Sequence, residues 1–204
     1  MEDAKVFNLE RLVLDNIRTI TLPSKRFTYP VAVILVGGPF SGKTTLVSFL
    51  AKHIPLVMLS EVNMASFLAP RATFFKRGTE EIFLLASKTI EQLIKQRVSV
   101  IYDASVKKRS DREMLRNLVT EAGGKLLVVH LTLPEEEVYR RLQTNNAEIV
   151  RGDRKGFIMD KELFRYELNT IEHPNTDEAP IAYDERESQA AEKVEDQVRS
   201  MLRD

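Results

Sequence analysis

From residue 31 onward, short apolar runs alternate with longer amphipathic segments. The short runs are mostly aliphatic, as in strands that are covered on both faces, and they lie at 31–36, 56–60, 98–103, 125–131 and 181–183. In the longer segments, apolar residues recur three and four positions apart, which is the spacing of amphipathic helices. Strands that alternate with helices predict an α/β fold, namely a three-layer sandwich in which helices cover both faces of a mostly parallel five-stranded sheet.

Residues 1–29 precede this alternating pattern. Leu9, Val13 and Ile17 lie at helical spacing, and a turn-like stretch separates them from the segments that follow. We therefore predict an N-terminal helical extension over 1–29 and a single domain over 30–204. Two interpretations of the extension remain open: a helix that packs on the flank of the domain, or an arm that binds a protein partner.

Two local sequence patterns predict where a helix begins and where a loop lies within the domain. Ser110 and Glu113 have the spacing of a capping box, which predicts a helix start at Ser110. The stretch 145–156 is polar and charged and has little periodicity. We therefore predict a loop there, which forms a lid over about 145–158 between two helices.

The composition narrows the class of protein. The chain has 204 residues, with 30 basic and 30 acidic side chains and a formal net charge of zero. A neutral chain argues against a protein that coats duplex nucleic acid, because neutralising many phosphates needs a basic excess. The absence of cysteine excludes disulfides, thiolate metal sites and cysteine nucleophiles. No apolar run approaches the ~18 residues that cross a bilayer, so we expect a cytoplasmic protein without a membrane span.

The strongest chemical signal is the segment 37–44, which matches the pattern G-x-x-x-x-G-K-[ST] without a mismatch. It stands directly after a predicted strand and opens a predicted helix, as a phosphate-binding loop requires. Its backbone N–H groups would cradle phosphate oxygens, Lys43 would reach the β- and γ-phosphates, and the Thr44 hydroxyl would bind Mg²⁺. The predicted nucleotide-binding residues are Gly37, Gly38, Pro39, Phe40, Ser41, Gly42, Lys43, Thr44 and Thr45.

Asp103 ends the third apolar run. Proteins with a phosphate-binding loop of this kind need an acid on a neighbouring strand that holds the metal opposite the threonine hydroxyl. We therefore predict that Asp103 and Thr44 together bind Mg²⁺. An acidic residue that caps a turn at the end of a strand is the alternative interpretation.

Three segments occur in the order of a known family: GGPFSGKTT at 37–45, YDASVKKRSDREMLRNL at 102–118 and LVVHLTLPEEEVYRRL at 127–142. Over residues 31–184 the chain resembles the P-loop kinase-like, AAA-domain ATPases. This group includes gluconate kinase, polynucleotide 5′-hydroxyl kinase, seryl-tRNA kinase and zeta-type toxins. The resemblance implies a P-loop NTPase core of the small-molecule kinase type with a lid, and ATP and Mg²⁺ as its cofactors.

The resemblance also implies roles for residues outside the loop. Glu61 matches the acid that takes a proton from the acceptor hydroxyl, and a surface glutamate at a helix start is the alternative. Arg141 matches the catalytic arginine that contacts adenine or phosphate where a helix enters the lid. Many relatives carry another arginine four residues later, where this chain has Asn145. The lid arginines Arg151 and Arg154 are the candidates to replace it.

These residues predict an ATP-dependent kinase that transfers the γ-phosphate of Mg-ATP to a hydroxyl. A small-molecule or nucleoside-type acceptor is the leading hypothesis. A nucleic-acid end kinase or tRNA kinase is the first alternative, since basic clusters at 107–112 and 71–77 could bind an anionic acceptor. The second alternative is a nucleotide-gated ATPase or switch that acts on a protein partner through residues 1–29.

Overall fold

The computed structural model describes residues 9–69 and 78–203, and within them five strands form one sheet. The strand order is β2-β3-β1-β4-β5, and every pairing between neighbours is parallel. The strands are β1 (Val31–Val36), β2 (Val57–Ser60), β3 (Val100–Ser105), β4 (Lys125–Leu131) and β5 (Ile181–Tyr183). The predicted α/β architecture around a five-stranded parallel sheet is confirmed.

Helices connect the strands and cover both faces of the sheet. They are α1 (Leu9–Arg18), α2 (Lys43–His53), α3 (Glu61–Leu68), α4 (Gly78–Lys95), α5 (Arg109–Glu121), α6 (Glu135–Arg151), α7 (Lys161–Asn169) and α8 (Ala190–Arg203). A short 3₁₀ turn, Thr176–Glu178, precedes β5. None of the helices in the described part of the chain is long and apolar enough to span a membrane.

The core has two halves, one on each face of the sheet. Successive side chains of a strand point to opposite faces, and β1 shows this clearly. Ile34 packs in the cluster that α1, α4 and α5 cover, whereas Leu35 packs in the cluster under α2 and α8. All six residues of β1 are buried, which explains why its sequence is a continuous apolar run and not an alternating one.

The helix of the N-terminal extension packs on the flank of the domain. Val13 and Ile17 of α1 are buried in the same cluster as Leu85 and Ile90 of α4. Leu14, the residue next to Val13, is half exposed. This packing is the first of the two arrangements that the sequence left open.

The polar stretch that was predicted to be a loop from residue 145 is helical as far as Arg151, so this prediction is wrong over those residues. The inward-facing positions of this part of α6 include Asn145 and Asn146, where an amphipathic helix ordinarily has apolar residues. Asn145 is buried, and the Asn146 amide donates to the carbonyl oxygen of Met159 at 2.7 Å and accepts from its N–H at 3.2 Å. Because these inward-facing side chains are polar, the sequence does not show the apolar spacing of a helix over these residues. The chain leaves the helix at Gly152, whose φ is +82°.

Two smaller predictions on boundaries also differ from the structure. Helix α5 begins at Arg109, so Ser110 lies inside the helix and does not cap it. The N–H of Arg109 donates instead to the Glu172 carboxylate at 2.7 Å, which caps the helix from a distant part of the chain. Strand β3 continues to Ser105, so Asp103 lies two residues inside the strand and not at its end.

Candidate functional site

The phosphate-binding loop joins β1 to α2, and its glycines lie so close to neighbouring elements that a side chain would clash there. Gly42 has a φ of +95°, which favours glycine. A Cβ atom on Gly38 would lie 2.3 Å from Cδ2 of Leu168, which belongs to α7. A Cβ atom on Gly37 would lie 2.9 Å from Cβ of Leu131. The loop is therefore enclosed by β4 on one side and by α7 on another, and larger residues would not fit there.

Lys43 lies inside this loop. Its Nζ donates to the carbonyl oxygens of Gly37 at 3.1 Å and Gly38 at 2.6 Å. Burial lowers the pKa of Lys43 to about 8, and the nearby carboxylate of Asp103 acts in the opposite direction. The ammonium is therefore partly withdrawn from water and held by two carbonyl oxygens of the loop, where a phosphate group would be an additional partner.

The predicted metal residues come together. The Thr44 hydroxyl lies 3.1 and 3.2 Å from the two carboxylate oxygens of Asp103 and donates to them. A hydroxyl and a carboxylate are oxygen ligands of the kind that Mg²⁺ prefers. In the part of the chain that the structure describes, no group of three or more histidine, aspartate and glutamate side chains converges on a point as metal ligands. This pair fits an ion that takes its other ligands from phosphate and water.

Glu61 begins α3 directly after β2, beside the strand that carries Asp103. Ser60, the residue before it, pairs with Asp103 across the two strands. The Glu61 side chain is exposed, and its charge is close enough to favour the ammonium form of Lys43. The sheet therefore brings Glu61 to the same edge as Lys43 and Asp103. Glu61 is also an exposed first residue of a helix, so the structure is compatible with both interpretations of this residue.

Arg141 lies over the other side of the loop. Its guanidinium donates to Glu137 at 3.0 Å and forms an ion pair with Glu185, which follows β5. Arg140 and Arg141 hold the pKa of Glu137 at about 2 through their hydrogen bonds. A Cβ atom on Gly42 would lie 2.4 Å from Glu185, so this carboxylate contacts the loop itself.

A cavity of about 510 Å³ is lined by residues of the loop and of α6. It is wide enough for part of a nucleotide, since ligand pockets usually measure about 300–1,000 Å³. Its lining includes Lys43, Thr45, Arg141 and Arg154. Arg151 is not among the lining residues; it pairs with Asp153 at 2.8 Å and is mostly exposed. Of the two predicted lid arginines, the structure therefore brings Arg154 to the cavity.

The basic cluster at 107–112 is largely paired with carboxylates of residues 167–178. Lys107 pairs with Glu167, Arg109 with Asp177 and Arg112 with Glu178. The cluster therefore does not form an unneutralised surface for a polyanion. The second basic cluster, at 71–77, lies outside the described residues.

Sequence reasoning did not identify three site residues: Glu167 and Leu168 of α7, and Glu185. Glu185 follows a predicted strand at the carboxyl edge of the sheet, where ligands bind in such folds. Its position could therefore have been inferred. The two residues of α7 carry no comparable signal, because helical residues are placed at a site only by the packing of the whole helix.

A family model described as "AAA domain" matches residues 33–160, which is more than half of the chain. No curated protein matches the sequence significantly. Solved structures with the same fold include Kti12 from Chaetomium thermophilum in complex with ADP-AlF3, with a TM-score of 0.66 and 16% identity over 85% of this chain and 99% of that one. A gluconokinase from Sinorhizobium meliloti has a TM-score of 0.58 and 18% identity over 88% and 96% of the two chains.

The APS kinase CysC from Mycobacterium tuberculosis, in complex with AMPPNP and APS, has a TM-score of 0.58 and 18% identity over 86% of this chain and 99% of that one. Identities this low show a common fold and do not identify a substrate. The family match and these structures agree with the geometry of the loop. The chain belongs to this AAA-domain family, and its fold is the P-loop nucleotide-binding fold of the kinase-like group.

Proposed function

We propose that this protein is an ATP-dependent phosphotransferase that moves the γ-phosphate of Mg-ATP to a hydroxyl of a small-molecule acceptor. One observation supports this most directly. Lys43, Thr44 and Asp103 lie together at the carboxyl edge of the sheet, and Glu61 begins the helix that follows the adjoining strand. A loop that binds phosphate, a pair that suits Mg²⁺ and a carboxylate that can accept a proton are the parts that this reaction requires.

The nucleotide would be held by the loop and the cavity beside it. Backbone N–H groups of the loop from Gly38 to Thr45, apart from Pro39, which has none, would bind the phosphates, and Lys43 would neutralise charge on the β- and γ-phosphates. Thr44 and Asp103 would hold Mg²⁺, which supplies charge neutralisation to the phosphates when it is bound. Arg141 and Arg154 line the cavity and would contact the rest of the nucleotide.

Glu61 is the proposed base. An alcohol must lose its proton as the phosphoryl group arrives, and an exposed carboxylate at the sheet edge can take that proton. Because Glu61 is exposed, an acceptor can reach it from solvent. Helix α7 and the chain between α6 and α7 would limit water around the transferred group, since water would otherwise compete as acceptor.

The test of the function uses ATP labelled at the γ-phosphate, Mg²⁺ and fractions of small metabolites, nucleosides and RNA from a cell extract. We expect the label to move into the small-molecule fraction. We expect Lys43→Ala and Asp103→Asn to lower this transfer by about 10²-fold or more. Lys52→Ala, on the exposed face of the same helix as Lys43, is the matched control and should transfer normally. Near-normal transfer by Lys43→Ala would overturn the proposal, and label that appears only as free phosphate would indicate an ATPase.

The role of Glu61 has its own test. We expect Glu61→Gln to lower the transfer rate about 100-fold while the Kd for ATP stays within about twofold, because the residue acts on the acceptor proton. Glu135→Gln is the matched control, since Glu135 is also an exposed first residue of a helix. An equal loss in both variants, or none in Glu61→Gln, would leave Glu61 as a helix-start residue only.

A further inference from the structure

The segment that follows β3 is bound directly to the start of the phosphate-binding loop. The N–H of Gly37 donates to the Ser105 hydroxyl at 3.2 Å, and the N–H of Val106 donates to the carbonyl oxygen of Leu35 at 2.8 Å. Lys107 is the next residue. The backbone of Lys107 is therefore held beside the loop, because the two residues before it are hydrogen-bonded to the end of β1 and to the first residue of the loop.

The Lys107 side chain is directed toward α7. It forms an ion pair with Glu167, and each side chain is 28% exposed. The residue after Glu167, Leu168, is the one that packs against Gly38 of the loop. Helix α7 thus lies on the phosphate-binding loop and brings a carboxylate to the same place.

Lys43 is held at the same part of the loop, because its ammonium donates to the carbonyl oxygens of Gly37 and Gly38. Gly37 is also bonded to the segment before Lys107, and Gly38 is the residue against which α7 packs. Two ammonium groups at the same part of the loop repel each other unless an anion lies near both. Glu167 is that anion for Lys107.

We propose that Lys107 is a second phosphate-binding cation of this site, which contacts the γ-phosphate of ATP, and that the Glu167 carboxylate is its counterion while the γ-phosphate is absent. This role of Lys107 rests on the proposed function in one respect: the bound nucleotide must be a triphosphate. A phosphate group carries more charge than a carboxylate, so it can replace Glu167 as the partner of two cations.

The structure allows this exchange at little cost. The Lys107–Glu167 pair is partly open to solvent, and ion pairs of that kind are weak. The backbone around Lys107 is held independently of its side chain, because the N–H of Glu172 donates to the Lys107 carbonyl oxygen at 3.0 Å and the Glu172 carboxylate accepts from the Arg109 N–H. The Lys107 side chain can therefore change partners while its backbone stays in place.

The test compares the Kd of ATP with the Kd of ADP, both with Mg²⁺, by isothermal titration calorimetry. We expect Lys107→Ala to weaken ATP binding about tenfold and ADP binding by less than about twofold, since only ATP has the γ-phosphate. Glu167→Gln should act in the opposite direction and tighten ATP binding severalfold, because the competing carboxylate is removed. Lys107→Arg should retain most of the preference for ATP. Lys108→Ala is the matched control, since Lys108 is exposed on the same segment and should change neither constant.

A purely structural ion pair gives a different result. Both Lys107→Ala and Glu167→Gln would then weaken ATP and ADP alike and lower the melting temperature together, and that outcome would overturn the proposal. An unchanged ratio of the two constants in both variants would also overturn it. These measurements need no acceptor, so a failure of γ-phosphate transfer in the labelling experiment is distinguishable from a failure of the role assigned to Lys107.

Discussion

At the scale of residues, the Lys43 ammonium donates to the carbonyl oxygens of Gly37 and Gly38, and burial lowers its pKa to about 8. Under the proposed function, phosphate would bind the charged form of this side chain. At pH values above 8 a growing share of the ligand-free protein has a neutral Lys43, which must gain a proton before it can pair with phosphate. Proton uptake and nucleotide binding are then linked.

We therefore expect the Kd for ATP to rise about tenfold between pH 7 and pH 9, which is the loss that follows when a required proton leaves near pH 8. Isothermal titration calorimetry in buffers of different ionisation enthalpy measures both the affinity and the proton uptake. Lys43→Arg, which stays charged throughout this range, should give a flat profile. An equally steep rise in that variant would assign the titration to another group.

Residues at the site differ in how far the sequence could predict them. The loop residues and Asp103 were predicted because a motif of adjacent residues and an acid that ends an apolar run are local patterns. Glu167 contacts Lys107 across 60 positions of the chain, and Arg141 pairs with Glu185 across 44. Contacts of this kind arise only when helices and strands pack, so no local pattern predicts them.

At the scale of elements, helix α6 shows how a buried polar residue conceals a helix. Asn145 and Asn146 take inward positions that usually carry apolar side chains, and the Asn146 amide binds both backbone groups of Met159. The periodicity that predicts helices counts apolar residues only. The predicted helix therefore ended at residue 144, whereas the helix continues for seven more residues, to Arg151.

The C-terminus of α6 offers a direct test of this boundary. Gly152 has a φ of +82°, and a Cβ atom there would meet nothing within 4 Å. Gly152→Ala should therefore lower the free energy of unfolding by about 1 kcal/mol through backbone strain alone. Gly152→Asn should cost less, because asparagine tolerates this conformation. Urea denaturation measures both, and an alanine variant as stable as the wild type would contradict a helix that ends at this residue.

The ion pair between Arg112 of α5 and Glu178 of the 3₁₀ turn joins two elements in the interior, with exposed fractions of 1% and 5%. The hydrogen bond from Arg112 is the main reason that the pKa of Glu178 is lowered. Because the native state binds the proton less readily than the unfolded chain, this contribution to stability is present at neutral pH. It is lost as the pH falls below the ordinary glutamate range.

We expect Glu178→Gln to lower the free energy of unfolding at pH 7 by about 3–5 kcal/mol, because it leaves a buried guanidinium without its counterion. The neighbouring Asp177→Asn, which breaks only the exposed pair with Arg109, should cost less than about 1 kcal/mol. Denaturation with urea at pH 7 and pH 4 separates the two effects. Equal losses in both variants would contradict the difference in burial between the two pairs.

At the scale of the whole molecule, the strand order explains why the site residues meet. β1 lies between β3 and β4, and β2 lies beyond β3. The loop after β1, Asp103 on β3 and Glu61 after β2 therefore stand side by side at one edge of the sheet, although they are far apart in the chain. The sequence predicted the strands and their parallel arrangement, but local patterns do not specify the order in which strands pair.

The N-terminal helix is part of this packed unit, and its contribution can be measured. Val13 is buried against the core and Leu14, next to it, is half exposed. Val13→Ala should lower the free energy of unfolding by about 2 kcal/mol, whereas Leu14→Ala should change it by less than about 0.5 kcal/mol. ATP affinity should be unchanged in both variants. If both variants were as stable as the wild type, α1 would contribute little to the fold and its interpretation as a partner-binding arm would gain support.

The contacts of Leu168 with Gly38 and of Glu185 with Gly42 have a consequence for the order in which the protein folds. During synthesis the phosphate-binding loop leaves the ribosome long before α7, β5 and the residues that enclose it. Contacts between residues this far apart along the chain form slowly, because the long stretch between them must first be closed into a loop. We therefore expect that a nascent chain that ends before residue 160 does not retain nucleotide. Under the proposed function, ATP would stabilise the fold only once the last fifth of the chain has been made.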